Sequence, residues 1–278
     1  MGKTANRLTG GRLQRAATRT DPRLVHHEIT CPLWPAALDG LVVGHVSDFH
    51  LGELISLDQS FDVLRRLKEW PLDLLVVTGD IIDFHPHGAE PLLEALASYE
   101  TTLGTWSVLG NHDKLVDERI YLDACERAGL RTLINERIDL EHRGGRIRLS
   151  GIDWARRPSE IDHLVDQVCE PCPEDGHILL AHHPIAFDRA RSKGVDLTLS
   201  GHTHGGQLNL THGKPWKPPV GLGSLAHKYC WGVYERDDSV LHVTSGVGSW
   251  FPFRVRCPSE IAIITVRSGR TASDQTDA

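Results

Sequence analysis

Leu41-Val42-Val43-Gly44-His45-Val46-Ser47-Asp48-Phe49-His50 runs a short apolar, β-branched segment straight into a carboxylate and an imidazole. Such a segment reads as a buried strand, and ligand-type side chains at its carboxyl end read as the rim of an α/β sheet. The pattern then recurs along the chain. Leu72 to Thr78 runs into Gly79-Asp80, Thr105 to Leu109 into Gly110-Asn111-His112-Asp113, His177 to Ala181 into His182, and Asp196 to Ser200 into Gly201-His202-Thr203-His204. Between these strands lie helical patterns. Asp58 to Trp70 carries Phe61, Leu64 and Leu67 on one face and stops at Pro71, Ala89 to Tyr99 is a second helix, Asp117 to Ala128 ends at Gly129, and Ile161 to Val168 is short. Strands alternating with helices specify an α/β fold with parallel strands.

Further out, Thr132 to Ser150 is broken by Gly144-Gly145 and predicts a hairpin on a second sheet. Tyr229 to Glu235 and Val240 to Thr244 flank Arg236 to Ser239 as another hairpin, after a Gly/Pro-rich loop from Gly205 to Gly223. Ile261 to Arg267 makes a last strand. No linker divides residues 38–267, so one domain is expected there, with a basic, flexible arm over 1–37 and a loose polar tail over 268–278.

With 40% hydrophobic and 24% charged residues the 278-residue chain has the composition of a packed domain, not of a disordered segment. Its net charge is −7, yet residues 1–23 hold six Lys and Arg against Asp21 alone, so the body is more acidic than the total. An acidic body repels polynucleotides, and no nucleic-acid partner is expected. The arm offers weak contact with an anionic membrane surface. There is no spanning apolar stretch and no secretory signal, which places the chain in the cytoplasm, at most peripheral to a membrane. Six scattered cysteines suggest reduced thiols, and the single Cys169-Glu170-Pro171-Cys172 lacks the second pair a zinc site would need.

Asp48 and His50 alternate around Phe49, so strand periodicity predicts that both face one side. The Asp80 carboxylate has two oxygens with which to bridge two cations. Two aspartates, one asparagine and four histidines without a thiolate suit Mn, Zn or Fe better than Ca or Mg. Two ions sharing one carboxylate would lie roughly 3.5 to 4 Å apart and serve in-line displacement at phosphorus.

Asp48-Phe49-His50, Gly79-Asp80-Ile81-Ile82-Asp83, Gly110-Asn111-His112-Asp113, His182-His183-Pro184 and Gly201-His202-Thr203-His204, in that order, resemble the signature of the calcineurin-like metallophosphoesterases. Gly205-Gly206-Gln207, and Ser245-Gly246-Val247-Gly248 leading to Pro252, Arg254, Pro258, Glu260 and Ile261, are similar to the YkuE-like bacterial branch. The resemblance implies a four-layer α/β/β/α sandwich. It implies that Asp48, His50, Asp80 and His204 hold one divalent transition metal, and Asp80, Asn111, His182 and His202 a second. A metal-bridging hydroxide would attack a phosphoester or pyrophosphate of a small molecule, His112 would protonate the leaving oxygen, and Asp83 would orient His112. Phe84 stands where the protein phosphatases of the superfamily carry an arginine, and Asp113 where they carry glutamate, which argues against a phosphoprotein substrate.

Two alternatives remain open at this point. A pyrophosphatase acting on UDP-diacylglucosamine would use Trp250, Phe251 and Phe253 beside Arg254 as an acyl-binding or membrane-facing rim. A non-catalytic scaffold of the same fold would have no need of seven filled ligand positions. The roles of His85, His87 and His183, the native metals and the oligomeric state are not fixed by the sequence.

Overall fold

The computed structural model describes residues 22–52, 55–115, 117–211, 220–249 and 254–269. Two six-stranded sheets face each other. The first is built from β1 (Arg23–Cys31), β2 (Leu41–Val46), β3 (Leu74–Val77), β4 (Thr105–Ser107), β5 (Arg131–Thr132) and β12 (Glu260–Ser268), in the order β1-β12-β2-β3-β4-β5. The second holds β6 (Glu136–His142), β7 (Gly145–Gly151), β8 (Gly176–Leu180), β9 (Leu197–Ser200), β10 (Gly232–Arg236) and β11 (Ser239–Val243), in the order β10-β11-β9-β8-β7-β6. β2, β3, β4 and β5 run parallel, as do β7, β8, β9 and β11, so several carboxyl ends meet along one edge of each sheet.

Helices α1 (Leu57–Leu67), α2 (Glu90–Ala97) and α3 (Glu118–Ala128) bury Val63, Leu64, Leu67, Leu92, Leu93, Leu96 and Tyr121 against the outer face of the first sheet. Ile161, Val165 and Val168 of α4 (Pro158–Val168) do the same on the second sheet. Between the sheets, Val43, Leu74, Val76 and Ile264 interdigitate with Leu149, Ile178, Leu180, Leu197 and Leu199, all but completely buried. The layers are therefore α/β/β/α, as the resemblance implies. The helix boundaries follow local chemistry: the Ser56 hydroxyl accepts from Gln59 N–H while the Gln59 side chain accepts from Ser56 N–H at the start of α1, and Gly129 at φ 76° closes α3.

Two boundaries differ from expectation. Residues 22–37, read as part of the arm, contain β1, which pairs in parallel with β12 from Arg23↔Glu260 to Cys31↔Ser268. Residues 1–21 lie outside the described residues. Ser268, read as the start of the tail, closes β12, its N–H donating to Asp39 and its hydroxyl to the Trp34 carbonyl. Among the described residues no helix is long and apolar enough to cross a membrane, and all six cysteines are free.

His177 at the start of β8 carries a pH dependence that is independent of any ligand. Its ring is fully buried, Nε2 lies 3.0 Å from Ser150 Oγ and Nδ1 has no hydrogen bond. Burial, followed by the charges of Arg148 and Arg137, lowers it from 6.5 to about 4. The folded chain thus keeps the ring neutral where the unfolded chain would protonate it. Its stabilising contribution is complete above about 6.5 and is lost as pH falls toward 4, at most about 3 kcal/mol. In denaturant titrations the difference in unfolding free energy between wild type and His177→Gln should shrink by that order across this window. A difference that stays constant would refute the assignment.

Candidate metal centre

Backbone hydrogen bonds tie the loop after β2 to the loop after β3, and the loop after β9 to the loop after β8, before any side chain is considered. Asp48 N–H donates to the Gly79 carbonyl at 2.9 Å, His50 N–H to Asp80 at 3.0 Å, and Gly201 N–H to His182 at 3.2 Å. The residues expected to face one side through strand alternation reach it differently. Asp48 and His50 have φ of 55° and 49°, so both sit in left-handed turns beyond the end of β2, with Phe49 buried between them. Asp80, His202 and His204 share this backbone class at 53°, 70° and 50°. A non-glycine residue there costs about 1 kcal/mol or more, and such residues concentrate where function fixes a side chain's direction.

The side chains converge. His204 Nε2 lies 3.0 Å from His50 Nε2 and 3.3 Å from Asp48 Oδ1. Asp80 Oδ2 lies 3.1 Å from His182 Nε2 and 3.6 Å from His50 Nε2, and His202 Nδ1 lies 2.9 Å from Asn111 Oδ1. Donors bound at 2.0–2.2 Å to a common ion stand about 3.0 to 3.4 Å apart; the 3.0, 3.1 and 3.3 Å gaps fall in that range, and those of 2.9 and 3.6 Å lie just outside it. Asp48, His50 and His204 form one group of possible metal donors and Asp48, Asp80 and His182 another. His182 Nε2 is buried without a hydrogen bond, while its Nδ1 is fixed on the Thr78 carbonyl, so the free nitrogen is the one aimed at Asp80.

The electrostatics carry the same message. Burial works against charge on His50 and His182, yet neighbouring carboxylates, Asp48, Asp83 and Asp80 for the first and Asp80 for the second, hold them up at about 10 and about 9. His204 is instead pushed down to about 3 by burial, against the attraction of Asp48. Buried carboxylates facing imidazoles through their lone-pair edges need cations among them, protons or metal. The donor set fits two divalent ions.

His112 stands beside this group. Its Nδ1 lies 2.8 Å from the Asp83 carbonyl and 3.2 Å from the Asp83 carboxylate, which also lies 3.6 Å from His50 Nδ1. Burial lowers His112, but Asp83 outweighs it and raises the ring above its ordinary value, which favours a proton there. His112, Asn111, Asp80, His202 and His204 all line one cleft of about 410 Å³.

Several neighbours take places in the structure that the sequence did not assign to them. The Asp113 carboxylate is buried and accepts from the backbone N–H of Asp80, Ile81, Ile82 and Gly110 at 2.8–3.3 Å, so it shapes the Asp80 turn. Trp154, after β7, stacks on His183 at 20° and packs against His182 and His202. Its position just beyond the alternating strand β7 was the available signal. His183 accepts from Ile185 N–H and faces Trp154, a packing role, while His85 and His87 are exposed. Arg254, placed on an exposed rim by sequence, turns inward and donates to the Ser245, Gly248 and His204 carbonyls, so it braces the loops. Trp250, Phe251 and Phe253 lie outside the described residues.

The chain is 29% identical to the Bacillus subtilis metallophosphoesterase YkuE over 95% of its own length and 93% of that protein. It is 31% identical to a Helicobacter pylori metallophosphoesterase over 79% of its length but 58% of that protein, so it spans little more than half of some relatives. A solved structure described as a novel archaeal phosphodiesterase aligns over 75% of this chain and 86% of its own at 12% identity and a TM-score of 0.40. Residues 41–206, which contain every candidate ligand, match the calcineurin-like phosphoesterase family model, and the chain belongs to that family.

Proposed function

We propose that this protein hydrolyses a phosphoester or pyrophosphate bond of a small molecule with two divalent transition-metal ions, Mn, Zn or Fe. The observation that supports it most is the convergence of seven nitrogen and oxygen donors at adjoining edges of both sheets, with one oxygen of Asp80 facing both His182 Nε2 and His50 Nε2. Asp48, His50, Asp80 and His204 would hold one ion and Asp80, Asn111, His182 and His202 the other. When bound, the ions supply Lewis acidity at the phosphoryl oxygens and a nucleophile at neutral pH. His112, facing the cleft with Asp83 holding Nδ1, keeps a proton for the leaving oxygen at its other ring nitrogen. Exposed Phe84, with its ring 6.0 Å from His112, offers the leaving group an apolar wall where a protein phosphatase of this superfamily would present a guanidinium.

The test is a leaving-group series. His112→Asn should keep both metals and lose kcat by about 10²- to 10⁴-fold on an alkyl phosphodiester, the range expected of a lost general acid. On a p-nitrophenyl ester, whose leaving oxygen needs no proton, the loss should be at least tenfold smaller. Equal losses on the two esters would remove His112 from the acid role, and turnover of neither ester by metal-loaded wild type would remove the substrate class.

A further inference from the structure

Outside this centre, a second set of metal-type donors sits between the two sheets. His27 comes from β1 and Glu260 from β12 of the first sheet, and His242 from β11 of the second. His27 is 7% exposed, Glu260 2% and His242 not at all. His27 Nε2 and His242 Nε2 approach the same oxygen, Glu260 Oε1, at 3.3 and 3.4 Å, and the two rings are 4.8 Å apart. We propose that His27, His242 and Glu260 form a further metal site, specific for a zinc-like divalent ion, that clamps the two sheets together.

Three observations support it. The first is spacing. Charge-assisted N–H to carboxylate bonds run about 2.7 to 2.9 Å, whereas donors on a tetrahedral ion with bonds of 2.0–2.1 Å stand about 3.3 Å apart. Both nitrogens lie at the second spacing, His27 Nε2 also within hydrogen-bond reach of Oε1. Next, His242 Nε2 is fully buried and has no hydrogen bond, although it points at a carboxylate. A nitrogen lone pair and an ionised oxygen aimed at each other repel unless a cation lies between.

The surroundings of each ligand supply the third. Glu260 Oε2 accepts from Trp231 Nε1 at 2.7 Å, which leaves Oε1 for the ion. His242 Nδ1 lies 3.0 Å from His45 Nδ1, and His45 Nε2 lies 2.9 Å from Thr78 Oγ1. If His45 donates from Nε2 to the Thr78 hydroxyl, its Nδ1 accepts from His242 Nδ1–H. The His242 lone pair then stands on Nε2, toward Glu260. Outer partners that fix a ligand tautomer in this way are the usual companions of metal-bound histidine. Three protein donors leave a fourth place for water, and burial inside the sheet pair assigns the ion a structural role.

The experiment is zinc stoichiometry on full-length protein, stripped with chelator and reloaded with Zn²⁺ alone. Wild type should retain one more equivalent per chain than either Glu260→Gln or His27→Gln. Co²⁺-loaded wild type should show a tetrahedral absorption component that both variants lack. His27→Gln alters a strand at the edge of its sheet and is the safer of the two if Glu260→Gln does not fold. Equal zinc content in wild type and His27→Gln would overturn the site and leave a plain buried ion pair. Because neither residue belongs to the centre around Asp80, a failure here leaves the phosphohydrolase reading intact, and a failure there leaves this stoichiometry difference intact.

Discussion

Asp80→Asn protein, loaded with Mn²⁺ or Zn²⁺, should hydrolyse bis(p-nitrophenyl) phosphate at least ~10³-fold more slowly than wild type and bind at most one ion at this centre. The magnitude exceeds the roughly 10- to 100-fold cost of losing an outer partner of a metal ligand, because one oxygen of Asp80 faces both His182 Nε2, at 3.1 Å, and His50 Nε2, at 3.6 Å. Asparagine is an unusually harmful replacement here. Asp80 Oδ1 accepts from His112 N–H at 2.7 Å, so an amide placed there must keep its oxygen on that side. Its NH₂ group then takes the place of Oδ2, facing His182 Nε2 and His50 Nε2, where a donor with no lone pair cannot ligate. Two ions per chain with activity within tenfold of wild type would refute the shared role of Asp80.

The parts of this arrangement that sequence makes legible are those written in short, contiguous patterns. β2, β3, β8 and β9 are buried runs of Val, Leu and Ile that empty directly into polar residues, so both the strands and their ends can be read. β1 was not readable. Arg-Leu-Val-His-His-Glu-Ile-Thr-Cys is an edge strand whose partner, β12, lies more than two hundred residues away, and its buried positions are few and partly histidine. Backbone twist was equally hidden. Asp and His tolerate positive φ better than most residues, but nothing local announces that Asp48 and His50 turn left-handed after β2. Asp113 shows the limit of residue type. A carboxylate adjoining Asn111-His112 looks like a ligand, and only the four backbone N–H groups around it reveal a brace. The His27, His242 and Glu260 cluster joins three strands from opposite ends of the chain, a proximity no spacing rule conveys.

The second large effect is expected from a single methyl group. A Cβ at Gly110 would sit 2.1 Å from Asp80 Oδ1 and 2.5 Å from Asp80 N, far inside any tolerated contact. Gly110 has no positive φ, so the penalty in Gly110→Ala is steric and local. Neither neighbour can yield easily: the Asp80 carboxylate is held by His112 N–H, and the Asp80 amide by Asp113. Gly110 N–H itself donates to the same Asp113 carboxylate at 2.8 Å, so the loops after β3 and β4 are pinned together at the point of collision. Overpacking a well-filled interior costs about 1 to 3 kcal/mol, and a clash with pinned backbone should reach the top of that range or exceed it. Gly144→Ala is the matched control. Gly144 lies in the β6–β7 turn at φ 81° with nothing within 4 Å of an added Cβ, so it should lose only about 1 kcal/mol and no metal. Denaturant midpoints and metal content, measured side by side, separate the two. If Gly110→Ala matched Gly144→Ala in both, the close approach of the two loops would not be what positions Asp80.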